Sequence, residues 1–330
     1  MKFIEIMREK ARKSPKRIVF PEATADKILM AAEKLVEMGI AQPVLVGNPS
    51  SIKASAQSAG VSLEGCKIVD NDDEQTTNDL ISEYLKIEQM YSEKALRRKC
   101  KELLNYGAMM VKVGWGDCYA AGYLHSTSEV VMASQFFIGT MPGITSISSI
   151  GIVEFPSWSG PQENFLCYTD CAVQQRPSSE GLVDIAVASS YTVRKLLSWE
   201  PRAALMSFST DGSAEHEDVD IVREAVRIAK ERFPDFKIDG EFQLDAAIIP
   251  EVAAKKVARP SEVAGRANIL VFPNLGAGNI GVKSAQIFAG AIAYGPIMQG
   301  FAKPVTDFSR SAPMDEIIGN LAMLVVLAAE

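Results

Sequence analysis

Histidine is nearly absent from this chain: His125 and His216 are the only two in 330 residues. A zinc centre draws on closely spaced histidine and cysteine, and neither supply is present. The five cysteines (Cys66, Cys100, Cys118, Cys167 and Cys171) contain no CxxC pair and are too scattered for a disulfide framework. Cys167 and Cys171, spaced CxxxC with no histidine nearby, read as inert. Long apolar runs are missing too. A membrane-spanning helix needs roughly 18 such residues, and the densest stretch, Leu321 to Ala329, is about half that. The opening MKFIEIMREKARKSPKR lacks the unbroken apolar core of a signal peptide and reads as an amphipathic helix. There is no basic excess: 34 Lys and Arg against 41 Asp and Glu give a net charge of -7. That argues against nucleic acid as a partner, because a phosphate-backbone surface needs surplus cations. Small anionic metabolites remain possible in a locally basic pocket. These absences lead to the expectation of a soluble, reduced, cytoplasmic protein without a resident metal.

What is present is an ordinary globular composition, 47% hydrophobic and 23% charged, in a chain long enough for two domains or one large one. RIVFP and PVLVG are short β-branched runs bounded by Pro and Gly, and they read as buried strands. Between them, Ile28, Leu29, Ala32, Leu35 and Val36 recur at helical spacing, and Gly39 supplies the stop. Strand, helix and strand in so short a span form a βαβ unit, and such units build parallel sheets. VDIAVASSYTVRKLLSW, RAALMSFST, DVDIVREAVRIAKERF and NILVFPNL repeat the texture, so the fold class is α/β. Residues 140–171 alternate β-type runs with Ser, Gly and Pro, which marks the start of a second domain near Met141–Ile144.

Four segments carry candidate chemistry. Gly276, Gly278 and Gly281 in LGAGNIG match a G-x-G-x-x-G dinucleotide turn, but Pro273-Asn274-Leu275 separates them from the strand. No acidic residue stands about 20 positions on to hold a ribose. A helix start facing an anion, or a plain turn, fits better, and Asn279 and Lys283 within and beyond it become substrate-contact candidates. In DFSRSAPMDEIIG, Pro313 suits the first turn of a helix, with Asp315 and Glu316 near its positive end. Ser309 and Arg310 just before it add a hydroxyl and a guanidinium, so the segment offers a phosphate cradle beside a carboxylate base. A purely structural dipole partnership is the alternative. His125, Ser126 and Thr127 in AAGYLHSTSEV are substrate-contact candidates, although a lone histidine is more often structural than catalytic and the two hydroxyls would be unremarkable helix caps by themselves. Ser207, Ser209 and Thr210 in SFSTDGS present hydroxyls after a strand, where α/β folds place ligands.

Taken in order, RIVFPEA, GIAQPVLVGNP, GAMMVKVGWGDCYAAGYLHSTSE, YTDCAV, IDGEFQLDAAIIPEVAAKK, ILVFPNLGAGNIGVKSAQ and AIAYGPIMQGFAKPVTDFSR resemble the phosphate acetyl/butyryltransferase family nearly end to end. The resemblance implies two α/β domains like those of isocitrate and isopropylmalate dehydrogenases, with the active site in the cleft between them. It implies 1–142 plus 304–330 as the first domain and 143–303 as the second, the last helix returning to the first. It also implies a homodimer, with coenzyme A as a substrate and no further cofactor. The activity implied is reversible acetyl transfer between acetyl-CoA and phosphate in a ternary complex. Ser309 and Arg310 fall on the family's Ser-Arg pair, and Glu316, with Asp315 as its rival, falls where the family has an aspartate base. Three family arginines are replaced, by Met132, by Ile287 and in the stretch around Leu85 and Lys86; Lys86, Lys112 and Lys283 are the lysines that would compensate. The more apolar positions keep a butyryl or other acyl specificity open. The lost cations keep a divergent, non-catalytic or regulatory member open, and LGAGNIG is the sole support for a nicotinamide oxidoreductase.

Overall fold

In the computed structural model, which describes residues 3–329, the strand–helix rhythm of the sequence builds two sheets. The chain begins with α1 (Phe3–Lys13), β1 (Lys16–Phe20), α2 (Asp26–Glu37), β2 (Ala41–Val46), α3 (Pro49–Ala59), β3 (Lys67–Val69), α4 (Glu74–Ile87), α5 (Glu93–Lys99), α6 (Leu103–Val113), β4 (Cys118–Ala121) and α7 (Thr127–Phe137). There follow β5 (Ser148–Glu154), β6 (Phe165–Thr169), α8 (Ser179–Leu197), β7 (Ala203–Met206), α9 (Glu217–Arg232), β8 (Ile238–Phe242), α10 (Leu244–Ile248), α11 (Pro250–Lys256), β9 (Ile269–Val271), α12 (Leu275–Ala289) and β10 (Ile292–Gln299). The chain ends with β11 (Val305–Asp307) and α13 (Met314–Ala328). Met1–Met141 and Phe301–Glu330 form one unit, and Pro142–Gly300 the other.

The first unit holds a five-stranded sheet in the order β11-β4-β1-β2-β3, every pair parallel. Helices cover such a sheet on both faces, so its strands read as unbroken apolar runs; Ile18, Val19 and Phe20 are wholly buried. Helix boundaries follow local chemistry. Asn48 caps α3 by accepting from the amides of Ser50 and Ser51, Pro49 opens it, and left-handed Gly60 ends it. Helix α13 is apolar nearly all round because it is buried from Ile317 to Val326, against α1, α2, β4 and β11. Helix α1, which buries Phe3, Met7 and Ala11, packs against it.

The second unit holds a six-stranded sheet, β10-β5-β6-β9-β7-β8. Strands β6, β9, β7 and β8 are parallel, whereas β5 runs antiparallel to both β6 and β10. The sheet is therefore mixed rather than uniformly parallel. Residues 155–164, rich in Ser, Gly and Pro, contain no helix, and a parallel return needs a longer crossover, usually helical.

The glycine motif lies inside α12, behind Asn274, whose side chain caps the helix by accepting from the Ala277 amide. A Cβ on Gly278 would stand 2.2 Å from the Asp170 carbonyl oxygen. That glycine lets the helix approach the end of β6, so close backbone packing accounts for it without a dinucleotide. Among the described residues no helix is long and apolar enough to cross a membrane, and no grouping of three or more His, Cys, Asp or Glu is placed to hold a metal.

Candidate functional site

Because the first sheet is parallel, the chain leaves every strand at the same edge, and the loops after β1, β4 and β11 collect there. These three strands are neighbours, so segments about 100 and 300 residues apart in sequence meet.

The loop after β1 contributes Glu22, whose side chain is 1% exposed. Its Oε2 accepts from the Tyr123 amide at 2.8 Å, and its Oε1 from the amides of Leu124 (2.8 Å) and His125 (3.0 Å). Nδ1 of His125 lies 2.8 Å from the same Oε1. One buried carboxylate thus shapes the whole loop after β4.

The loop after β11 is tied to the same place. The Thr127 hydroxyl donates to Asp307 Oδ2 at 2.5 Å, while Asp307 Oδ1 is buried without a hydrogen-bond partner. Burial pushes the Asp307 carboxyl above its ordinary pKa, the Thr127 hydrogen bond opposes this, and the Glu22 charge adds to it. Gly122 makes the approach possible: its φ is +103°, and a Cβ there would lie 1.9 Å from Asp307 Oδ1 and 2.8 Å from the Phe308 amide. Gly122→Ala is therefore expected to lower stability by roughly 1–3 kcal/mol through backbone strain alone, and by more if β11 has to shift. Urea unfolding of the variant against the parent chain checks this.

Ser309 and Arg310 stand in this loop, exposed. The Ser309 hydroxyl pairs with that of Ser311 at 3.0 Å, and an Arg310 guanidinium nitrogen donates to the Leu124 carbonyl at 3.1 Å. That single bond aims Arg310 at the His125 loop and leaves most of its donors free. Glu316 and Asp315 occupy the first turn of α13. The Asp315 side chain is 100% exposed, with Arg8 at 3.8 Å. Glu316 is partly desolvated, which raises its carboxyl above the usual range, while the Lys27 charge works against the rise. Lys27, on α2, donates to the Ala312 carbonyl at 2.5 Å and lies over the Tyr123 ring. It therefore fixes the link between Arg310 and Glu316. The arrangement offers a guanidinium and a hydroxyl as anion donors, an imidazole held by a carboxylate, and a carboxyl with raised proton affinity.

Hydroxyls next to His125 are already engaged. Ser126 forms a capping box with Glu129, its Oγ 2.6 Å from Glu129 Oε2, and these bonds hold the Glu129 carboxyl below its usual range. In the second unit, Ser207, Ser209 and Thr210 separate by burial. Ser209 donates to Glu241 at 2.8 Å and Thr210 accepts from the Gln243 amide at 2.9 Å, both almost fully buried. Ser207 instead lines a cavity of about 350 Å³ with Phe208, Arg176, Ser178 and Asn274. Asn279 and Lys283 are exposed on α12.

Of the positions where the resemblance implies family arginines, Met132 on α7 is 53% exposed and Ile287 on α12 is 71% exposed. Lys86 is exposed at the end of α4 and Leu85 is half-buried. Lys112 donates to the Ile138 carbonyl at 3.2 Å, so its charge is committed to the end of α7. Glu22, Lys27 and Asp307 are absent from the sequence-derived candidates; Glu22 stands two residues past β1, Lys27 lies in the first turn of α2 and Asp307 closes β11.

The model of the family described as phosphate acetyl/butaryl transferase matches residues 2–325. The phosphate acetyltransferase of Clostridium acetobutylicum is 40% identical over 331 residues, which cover 99% of each chain. The crystal structure of a phosphotransacetylase from Streptococcus pyogenes matches with a TM-score of 0.88 and 32% identity, covering 99% of this chain and 98% of that one. A 4-hydroxythreonine-4-phosphate dehydrogenase from Klebsiella pneumoniae, at 10% identity and a TM-score of 0.55 over 96% of this chain and 100% of that one, shares the fold alone. With the family match spanning nearly its whole length, the chain belongs to the phosphate acetyl/butyryltransferase family.

Proposed function

We propose that this enzyme is a phosphate acetyltransferase, reversibly moving an acetyl group between acetyl-CoA and inorganic phosphate. The observation that carries the reading is the gathering of Ser309, Arg310 and Glu316 at one sheet edge in a member of this family. In the direction of thioester synthesis, Glu316 takes the proton of the coenzyme A thiol. The thiolate attacks the acetyl carbon of acetyl phosphate, a C–S bond forms, the bond from that carbon to the bridging oxygen breaks, and the departing phosphate takes up the proton from Glu316 and leaves as hydrogenphosphate. Arg310 and Ser309 donate to the phosphoryl and carbonyl oxygens, where negative charge grows in the transition state. Holding both substrates in line lowers the barrier further. Coenzyme A serves as a substrate, and the route needs neither a metal nor a covalent enzyme intermediate. His125 is a contact to the phosphate-bearing substrate.

The test is phosphate-dependent thiol release from acetyl-, propionyl- and butyryl-CoA, run beside a nicotinamide absorbance assay. Acetyl-CoA is expected to give the highest kcat/KM. A preference for butyryl-CoA would move the reading to the other named branch of the family. Absence of phosphate-dependent release would overturn it.

The enzyme works in the cytoplasm as a homodimer in this reading. The support is an apolar surface on the second unit: Ile280, Ile287 and Phe288 on α12 and Ile292 just beyond it are each more than half exposed, Phe288 by 86%. Such a patch on one chain marks an interaction surface, and a two-fold dimer is the commonest way to cover it. Phe288→Glu is expected to convert a dimer into a monomer on light scattering after size-exclusion chromatography. A monomeric parent chain would sink the assignment.

A further inference from the structure

Glu22 is an expensive residue for the fold to keep. Its side chain is almost wholly buried, and among the described residues its ion-pair partner is His125 alone, with no lysine or arginine. A buried carboxylate so placed is tolerated only when its lone pairs are filled. Here three consecutive backbone amides fill them, together with a ring nitrogen. The amides alone would explain a loop anchor. The fourth contact explains more, because the bond made by one imidazole nitrogen decides what the other can do. Both Glu22 oxygens are accepting, so the ring proton sits on Nδ1 and donates to Oε1. Nε2 is then the ring atom left to face outward, on a side chain that is 36% exposed. It belongs to the same loop that Arg310 reaches through the Leu124 carbonyl.

We propose that Glu22 is a positioning residue of the acyl-transfer site, acting through His125: it fixes the imidazole by Nδ1 so that Nε2, the acceptor in this tautomer, takes a hydrogen bond from the P–OH of inorganic phosphate. This rests on the acetyltransferase reading above. Glu22 is a charged orienter of the kind that holds metal-ligating or catalytic histidines elsewhere, here presenting an acceptor nitrogen to phosphate instead.

Two amide substitutions separate a positioning role from a structural one. Asparagine at 125 places its NH2 near the Nδ1 position, so it can still satisfy Glu22, but it has nothing at Nε2. Glutamine reaches the Nε2 position but loses the bond to Glu22. We expect His125→Asn to keep the parent Tm within a few degrees while kcat falls at least tenfold. Glu22→Gln is expected to lose a similar factor, with little added loss when it is combined with His125→Asn. Near-normal kcat in His125→Asn, or additive losses in the double variant, would overturn the proposal. Should Glu22→Gln fail to fold, Glu22→Asp retains the charge and takes its place. A second readout does not depend on turnover. In a His216→Gln chain His125 is the only imidazole, and its ring-nitrogen spectrum is expected to show the Nδ1-protonated form. Titration with inorganic phosphate is expected to move the Nε2 resonance more than Nδ1. An Nε2-protonated ring, or no response at Nε2, would refute the role of Glu22. Lack of phosphate-dependent thiol release in the parent chain would instead refute the acetyltransferase reading and leave the spectra to decide on Glu22.

Discussion

Arg310→Lys is expected to raise the KM for phosphate and for acetyl phosphate by on the order of tenfold or more, and Arg310→Ala to abolish most of the activity. Hydrogen bonds to charged partners contribute about 1.5–3 kcal/mol each, and about 1.4 kcal/mol corresponds to a factor of ten. Arg310 spends one donor on the Leu124 carbonyl and keeps the rest of its planar fork available. A lysine ammonium is a point charge and cannot both hold that carbonyl and grip phosphate through two parallel bonds. The cost should exceed what a crowded cationic site would show, because Lys112 is bound to the Ile138 carbonyl. Initial-rate measurements in both directions check this. An unchanged phosphate KM in Arg310→Lys would remove Arg310 from the phosphate contact.

Glu316→Gln is expected to lower kcat by roughly 10²–10⁴, with little change in coenzyme A affinity, since shape is kept and only the base is lost. Asp315→Asn should be close to the parent. The two carboxyls differ physically: both residues are exposed, Asp315 fully so, but the surroundings of Glu316 raise its proton affinity. A base must be unprotonated to act, so activity falls as pH drops through the Glu316 pKa. Because that pKa is raised, the acid limb of kcat/KM should lie above the ordinary carboxylate range. Lys27 holds the pKa down, so Lys27→Met should move the limb further up. If Asp315→Asn is the crippling change while Glu316→Gln is near normal, the assignment is one residue out. If neither matters and transfer persists, the carboxylate mechanism is refuted.

The α/β class was legible because both signals are local: apolar runs with β-branched residues, and helices with regular apolar spacing and punctuated ends. The antiparallel β5 was not, because 140–171 reads as alternating short strands whatever direction they run. LGAGNIG shows the limit of a motif. Its spacing matches a nucleotide turn, yet Gly278 is glycine because the Asp170 carbonyl leaves no room for a side chain. At the site, Ser309, Arg310, Asp315 and Glu316 are close in sequence, so their proximity could be read directly. Glu22 and Asp307 could not be found that way. Glu22 works on residues 101–103 positions downstream, and Asp307 on one 180 positions upstream. Single-sequence spacing carries no signal over such distances. Burial separated Ser209 and Thr210 from Ser207, although all three look alike in SFSTDGS.

The discontinuity of the first unit bears on how the protein is made. Domains commonly fold as units while the chain is still emerging from the ribosome, in order from the N-terminus. Here Pro142–Gly300 is contiguous and can complete itself as soon as it is out. The first unit cannot, since β11 and α13 are synthesised only after all of the second. Until then the apolar surfaces of α1, α2 and β4 that α13 covers stay bare, and Glu22 and His125 wait beside a missing neighbour. A stalled or clipped nascent chain would thus contain a finished second unit joined to a sticky, inactive remainder. Such a fragment is a natural client for a chaperone, and no turnover can begin before the last helix arrives.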